Sequence, residues 1–298
     1  MTYESVALTI NNWCNMKCPH CYLNYENPNN FISDEVFAHV LRPSFLEGIE
    51  NVIIVGKEPL FNKKSRDMVA KILDALEGTG IKMEIITNGV NLLDFDPSVA
   101  SRLAAIDVSL DGGPRTFASY RGAVTLGQDS HDVYPRIIEG VRRLQGTKIN
   151  VLHTLSSRVT DIDDMMKAAV ANPQAILFSP FVKATDVTDP GIEELPMKEM
   201  MAMLAGSPAF MENASTRFML GTHSSRGLSR DELHTLTSEY GLTGKVGWLD
   251  NSPTFVRISY DGLVTDSSTA LTPSSYAAYA TKCQVLKSIQ DFKPTERR

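Results

Sequence analysis

The sequence predicts an α/β protein built on a parallel sheet. Three observations point there. Short β-branched runs recur along the first two-thirds of the chain. Helix-like segments fall between them. Loops rich in Gly, Asn, Asp and Pro follow the strand-like runs. Six such βα units in series imply right-handed crossovers, and the resulting sheet either opens flat or curls into a barrel. In both cases ligands gather at the carboxyl ends of the strands.

The elements are justified in order. "SVALTI" (5–10) alternates and is β-branched, so it reads as the first strand. "SDEVFAHVL" (33–41) reads as a helix with Ser33 as N-cap and acids in its first turn, and Pro43 should end it. "NVIIVG" (51–56) suits a buried parallel strand. "KKSRDMVAKILDALEG" (63–78) has helical periodicity and a Gly stop. "KMEIITNG" (82–89), "IDVSLDG" (106–112), "INVLHTL" (149–155) and "AILFSPF" (175–181) repeat the strand pattern, with helices expected at 97–104, 131–145 and 161–171.

The pattern changes after about residue 185, which divides the chain into 1–185 and a C-terminal α+β extension, 186–298. "ELPMKEMMAMLAG" and "PAFMENASTRFMLG" read as Met-rich helices that pack the core. A helix is expected at 229–241, with Ser229 as N-cap and Gly241 as its stop. "TFVRISYDGLVTDSS" (254–268) reads as a hairpin with an Asp-Gly turn, and a last helix is expected within 273–290.

The bulk numbers bound the function. With 298 residues, 43% hydrophobic and 21% charged, a core of ordinary size forms without disulfide staples. A net charge of −6 argues against a nucleic-acid partner. "MTYESVALTINNW" lacks the basic and apolar regions of a signal peptide, and no run reaches the ~20 apolar residues of a spanning helix. The expected location is the cytoplasm, with no membrane partner. Thiols there stay reduced, so clustered cysteines bind metal more readily than they form disulfides.

Three of the four cysteines fall within eight positions of "NNWCNMKCPHCY". Cys14, Cys18 and Cys21 form C-x3-C-x2-C on the loop after the first strand. A [4Fe-4S] cluster is normally held by four thiolates. Three leave one iron with an open position, which suits a cluster that must bind something. Zinc is the competing metal, with His20 as a fourth ligand placed awkwardly between Cys18 and Cys21. Three buried, unligated cysteines are the bland alternative.

The motif just after a first strand, with its supporting loops in order over residues 5–185, resembles the radical S-adenosylmethionine (radical SAM) enzymes. The resemblance implies a partial (β/α)6 TIM-like barrel. It also implies one [4Fe-4S] cluster on Cys14, Cys18 and Cys21, with S-adenosylmethionine at the open iron. His20 stands where the family commonly has an aromatic close to the adenine. "VGKEP" (55–59) looks like the loop that holds the cofactor's ammonium, which assigns Gly56 and Glu58 to it. Lys57 stands where a second Gly is usual, and its side chain is expected to turn outward. Asn88 of "TNG" either bonds the cofactor or shapes the turn. Ser109 and Asp111 of "VSLDGG" sit two apart and so should share a strand face, suited to the ribose or the carboxylate end. Arg121 of "FASYRG" would pair with the cofactor carboxylate.

The stretch also resembles SPASM/twitch-type members, whose C-terminal domain binds extra clusters. Here Ser267 and Ser268 stand where a cysteine is usual, and only Cys283 lies downstream, so a single cluster is expected. Cys283 is then either a hydrogen-atom donor or a small buried hydrophobe. His153 ends its strand, where it could reach the site; His153, His223 and His234 each read as structural rather than catalytic. The resemblance implies a hydrogen abstraction from a peptide or small natural product, with epimerisation or rearrangement as the outcome. A one-electron donor such as flavodoxin or ferredoxin would be the partner. An oxidative dehydrogenase or cross-linking maturase is the alternative, and a non-catalytic scaffold or sensor the alternative of another class.

Overall fold

The strand-like runs of the first two-thirds all form strands, and they pair in chain order. The computed structural model describes residues 3–21, 30–121, 130–181, 189, 191–213, 217–221, 230–249, 255–266 and 281–293. The elements are β1 (Ser5–Thr9), α1 (Asp34–Val40), β2 (Asn51–Val55), α2 (Lys63–Leu76), β3 (Lys82–Thr87), α3 (Pro97–Ala100), β4 (Ala105–Ser109), α4 (Pro114–Tyr120), α5 (Ser130–Arg143), β5 (Ile149–Leu155), α6 (Ile162–Met165), β6 (Ala175–Pro180), α7 (Met197–Ala205), α8 (Pro208–Glu212), β7 (Arg217–Gly221), α9 (Arg230–Glu239), β8 (Val246–Leu249), β9 (Phe255–Ile258), β10 (Leu263–Asp266) and β11 (Thr281–Lys282).

Strands β1 to β6 are parallel neighbours in sequence order, the (β/α)6 arrangement expected. The later residues add to both edges of the same sheet. β7 and β8 continue it in parallel beyond β6, β9 joins β1 in parallel, and β10 and β11 follow antiparallel.

Strand alternation creates two faces. Val6, Leu8, Ile54, Ile85, Ile106, Val108 and Val151 are fully buried and join the main core with the buried sides of the helices. Their neighbours on the other face are mostly half-buried: Thr9, Val55, Glu84, Asp107, Ser109, Leu152 and Thr154. A parallel sheet buried on both faces would be apolar on both. The polar residues of the second set therefore mark a wet inner face.

Local signals act as expected at several ends. The Ser33 hydroxyl accepts from Val36 N at 3.2 Å, and α1 stops before Pro43. The Asn62 side chain caps α2 by accepting from Ser65 N at 2.9 Å. Two expectations fail. Residues 217–221 form a strand, because Phe218 and Leu220 are buried in alternation with Arg217 and Met219, a period of two hidden by the Met-rich composition. The described part of 273–290 is β11 followed by two 3-10 turns, Cys283–Val285 and Ile289–Asp291. There Ser288 and Asp291 make a capping box too short to start an α-helix. Ser229, His223, Ser267 and Ser268 lie outside the described residues.

Candidate active site

The cysteine loop leaves the carboxyl end of β1, beside the loops that follow β2, β3 and β4. Cys18 is buried, and Cys14 and Cys21 are half-buried. Backbone N–H of Met16 donates to Cys14 Sγ at 3.3 Å, Asn88 Nδ2 reaches the same sulfur at 3.6 Å, and Cys21 N donates to Cys18 O at 3.1 Å. Burial raises the Cys14 thiol, and the charges of Glu58, Cys18 and Cys21 add to it. Burial pushes Cys18 up to about 11, against the pull of Arg121. Thiolates this close repel one another and favour a cationic partner.

Among the described residues no three His, Cys, Asp or Glu side chains converge as ligands of one ion. A four-iron cluster does not ask for that, since each thiolate takes its own iron. The donor set fits such a cluster: three soft thiolates on one loop, with N–H donors aimed at the Cys14 sulfur.

On one side stands Glu58, 1% exposed. Its Oε1 accepts from Leu60 N at 2.8 Å and Thr87 Oγ1 at 2.6 Å, and its Oε2 accepts from Asn88 N at 2.7 Å. An ionised carboxylate has about four acceptor sites, so roughly one remains for a further donor. Burial raises its pKa, against these three hydrogen bonds. Asn11 Nδ2 donates to Glu58 O at 2.9 Å and to Ser65 Oγ at 3.1 Å, tying the loop to α2. Gly56 has φ of +140°, and a Cβ there would lie 2.9 Å from Thr9 Cγ2 and 3.3 Å from Asn11 O. Only glycine fits. Asn88 shapes the turn, its Oδ1 accepting from Val90 N at 3.0 Å, and its Nδ2 donates to Asn15 Oδ1 at 2.6 Å beside Cys14.

On the other side stands Asp111, buried at the turn after β4. Arg121 Nη1 donates to its Oδ2, His20 Nε2 lies 3.2 Å from the same oxygen, and Thr154 N donates to Oδ1 at 2.7 Å. Burial alone would raise its pKa; Arg121 and His20 outweigh that and hold the carboxyl well below its usual range. The His20 ring stacks on Tyr120, with centroids 5.1 Å apart and planes 7° from parallel.

Two local expectations are corrected. Ser109 and Asp111 do not share a strand face: β4 ends at Ser109, and Asp111 takes φ of +48°. Ser109 stays half-buried on the inner face while the Asp111 carboxylate turns to Arg121. Lys57 does not turn outward. It is half-buried, and its ammonium, lowered by burial, feels the Cys21 and Cys14 thiols. His153 faces the helix layer with Val151 and Leu155; its Nδ1 accepts from Gly112 N at 3.0 Å. Cys283 is fully buried elsewhere. Its Sγ lies 3.4 Å from Gln284 Oε1, and a Cβ at Gly262 would meet that sulfur, Val36 and Gln284. Sequence reasoning missed Asn11, Asn15, Thr87 and Thr154. The first three sit within or beside the quoted motifs, which was the available signal. Thr154 acts through its backbone, which leaves none.

The fold and site define a class of protein: a partial α/β barrel with a three-cysteine loop at the mouth of its first strand. Residues 8–169, more than half of the chain, match the radical SAM superfamily. The chain belongs to that superfamily and is an enzyme of it.

A curated relative, the GTP 3',8-cyclase of Nautilia profundicola, is 24% identical over 228 residues, 72% of this chain and 69% of that protein. Among solved structures, Streptococcus suis SuiB bound to precursor peptide SuiA superposes with a TM-score of 0.60 at 13% identity, over 88% of this chain and 59% of SuiB. A tagged form of anSMEcpe with bound AdoMet gives 0.61 at 13%, over 95% of this chain and 75% of that one. At such identities the structures show the fold alone. This chain spans about three-fifths of SuiB's length. No helix among the described residues is long and apolar enough to cross a membrane.

Proposed function

We propose that this chain carries one [4Fe-4S] cluster on Cys14, Cys18 and Cys21, binds S-adenosylmethionine beside Glu58, and modifies a C–H bond of a peptide or small natural product. When bound and reduced, the cluster and S-adenosylmethionine together supply a 5′-deoxyadenosyl radical that takes a hydrogen atom from a substrate carbon. The chain's own residues do the rest. Met16 N–H and Asn88 orient the Cys14 sulfur. Glu58, fixed by Leu60, Thr87 and Asn88, offers its remaining acceptor site to the methionyl ammonium. His20 and Tyr120 wall the mouth with stacked rings that exclude water near the adenine. The chain holds a single cysteine outside the motif, so it lacks the thiols for a second all-cysteine cluster, and a redox-neutral outcome is favoured. A low-potential one-electron donor such as flavodoxin or ferredoxin would supply the electron.

The single observation that carries the cofactor reading is the hydrogen-bonded thiol loop set against the buried Glu58. For the substrate, the inner face decides less. Glu84 and Asp107 sit on adjacent strands there, and burial raises both carboxyls. Burial disfavours their charged form, and Lys82 and Lys148 stand near them, so this face sets no strong charge barrier of either sign. A purine nucleotide is the second reading, favoured by the likeness to GTP 3',8-cyclases.

Anaerobic reconstitution should yield about four irons per chain, and the reduced protein should release 5′-deoxyadenosine from S-adenosylmethionine. Release unchanged by GTP supports the non-nucleotide reading. GTP-dependent release with a cyclised nucleotide product would overturn it in favour of the second.

A further inference from the structure

Helix α4 has no cap of its own. Gly113 precedes it without a side chain to accept a hydrogen bond, and Pro114 at its first position carries no N–H. The next two donors, Arg115 N and Thr116 N, both reach Asp164 Oδ2, at 3.2 and 3.1 Å. Asp164 belongs to α6, 49 positions beyond Arg115, and it is fully buried. A capping residue has no room at position 113, because a Cβ there would lie 1.8 Å from Asp164 O. The turn after β4 thus presses so closely on α6 that the cap of α4 comes from α6.

α6 is a firm support. Asp161 caps it by accepting from Asp164 N at 2.9 Å, and also holds Arg115 Nη2 at 2.5 Å. Asp163 accepts from Ser207 Oγ and from Ala209 N in the first turn of α8. Lys167 Nζ donates to Asp164 Oδ1 at 2.9 Å and balances the buried carboxylate. The opposite end of α4 faces the cysteine loop. Tyr120, its last residue, stacks on His20, which lies between Cys18 and Cys21, and Arg121 follows against Asp111. Seven residues, about 10 Å of helix, join the two ends.

We propose that Asp164 is the positioning residue of the His20–Tyr120 wall. By capping α4 from outside, it sets where that helix delivers Tyr120 against the cysteine loop. The inference rests on the cluster and S-adenosylmethionine reading above. So short a helix has little stability of its own, so its place is that of its attachments. Asp164 acts only through α4.

The test starts with iron content and S-adenosylmethionine binding of wild type, which check the underlying reading by themselves. Asp164→Ala and Asp164→Asn are then compared with Asp96→Ala. Asp96 caps α3, accepting from Ser98 N at 2.8 Å, and that helix leads into the amino end of β4. At equal iron loading, Asp164→Ala should weaken S-adenosylmethionine binding about tenfold in equilibrium dialysis. It should also speed amide exchange about tenfold at Tyr120, Arg121 and Cys21. Asp164→Asn, which keeps one acceptor, should do less, and Asp96→Ala should move neither. Wild-type affinity in Asp164→Ala, unchanged exchange at Cys21, or equal changes in Asp96→Ala would each overturn the proposal. If Asp164→Ala does not fold, Asp164→Asn and wild type decide. Saturating S-adenosylmethionine should slow exchange of the Arg115 and Thr116 amides at the far end of α4, and the proposal fails if it does not.

Discussion

His153 gives the sharpest solution test of this structure. The ring is fully buried, its Nδ1 is occupied as an acceptor by Gly112 N–H, and its Nε2 has no partner in the structure. Burial lowers its pKa from 6.5 to about 4; the nearby Asp111 opposes the shift without reversing it. The depressed value means that the unfolded chain binds a proton that the folded chain refuses between those limits. Stability from this group is therefore complete above about pH 6.5 and is lost as pH falls toward 4. At ~1.36 kcal/mol per unit, the full loss is about 3 kcal/mol, an upper figure if the ring gains water on protonation. Other groups titrate in the same range, and Glu84 and Asp107, raised by burial, work in the opposite sense. Only a difference between two proteins isolates the histidine. His153→Asn keeps an acceptor near the Nδ1 position and removes the titration. Urea unfolding at pH 7 and pH 4.5 should show wild type losing about 2 to 3 kcal/mol more than the variant. Histidine ¹³C NMR should place the ring's own midpoint near 4. A midpoint above 6, or equal losses in the two proteins, refutes the reasoning.

Other substitutions probe the two sides of the site. Gly56→Ala places a methyl 2.9 Å from Thr9 Cγ2 at φ +140°, and should cost about 2 kcal/mol or more and lower iron loading, read by urea unfolding and iron content. Glu58→Gln sets an amide against donors that now meet carboxylate oxygens. It should cost about 1–3 kcal/mol and weaken S-adenosylmethionine binding about tenfold or more, measured by equilibrium dialysis. Cys283→Ala should cost about 1 kcal/mol in unfolding and leave product stereochemistry and turnover unchanged, because its neighbours are Gly262, Val36 and Gln284; altered stereochemistry by chiral analysis would make it the hydrogen donor instead.

The parallel sheet was legible because each of its first six strands carries its own apolar alternation and its own loop signal. β7 was not. Its five residues follow a Met-rich helix, and composition alone reads the two as one segment. β9 shows a different limit. The Asp-Gly hairpin was visible, but nothing local in "FVRI" says that it pairs in parallel with β1, roughly 250 residues earlier. At the site, the motif loops were legible and their side-chain directions were not. Spacing put Ser109 and Asp111 on one face because a strand was assumed to continue. A single left-handed residue ended that alternation and sent the carboxylate to Arg121.

Lys57 shows how far a motif constrains a loop. Two glycines are usual in this loop, but only one is demanded here. Gly56 sits at positive φ against Thr9 and Asn11, whereas Lys57 is not among the positive-φ residues, so its backbone accepts any side chain. Its substitution therefore changes charge without changing shape. The half-buried ammonium stands beside Cys14 and Cys21, while Arg121 is buried on the Cys18 side. The thiols thus feel both a fully buried cation and a half-buried one. A buried guanidinium held by Asp111 keeps its charge whatever the solvent holds. A half-buried ammonium is shared with solvent, so its effect should depend on salt and on what occupies the mouth.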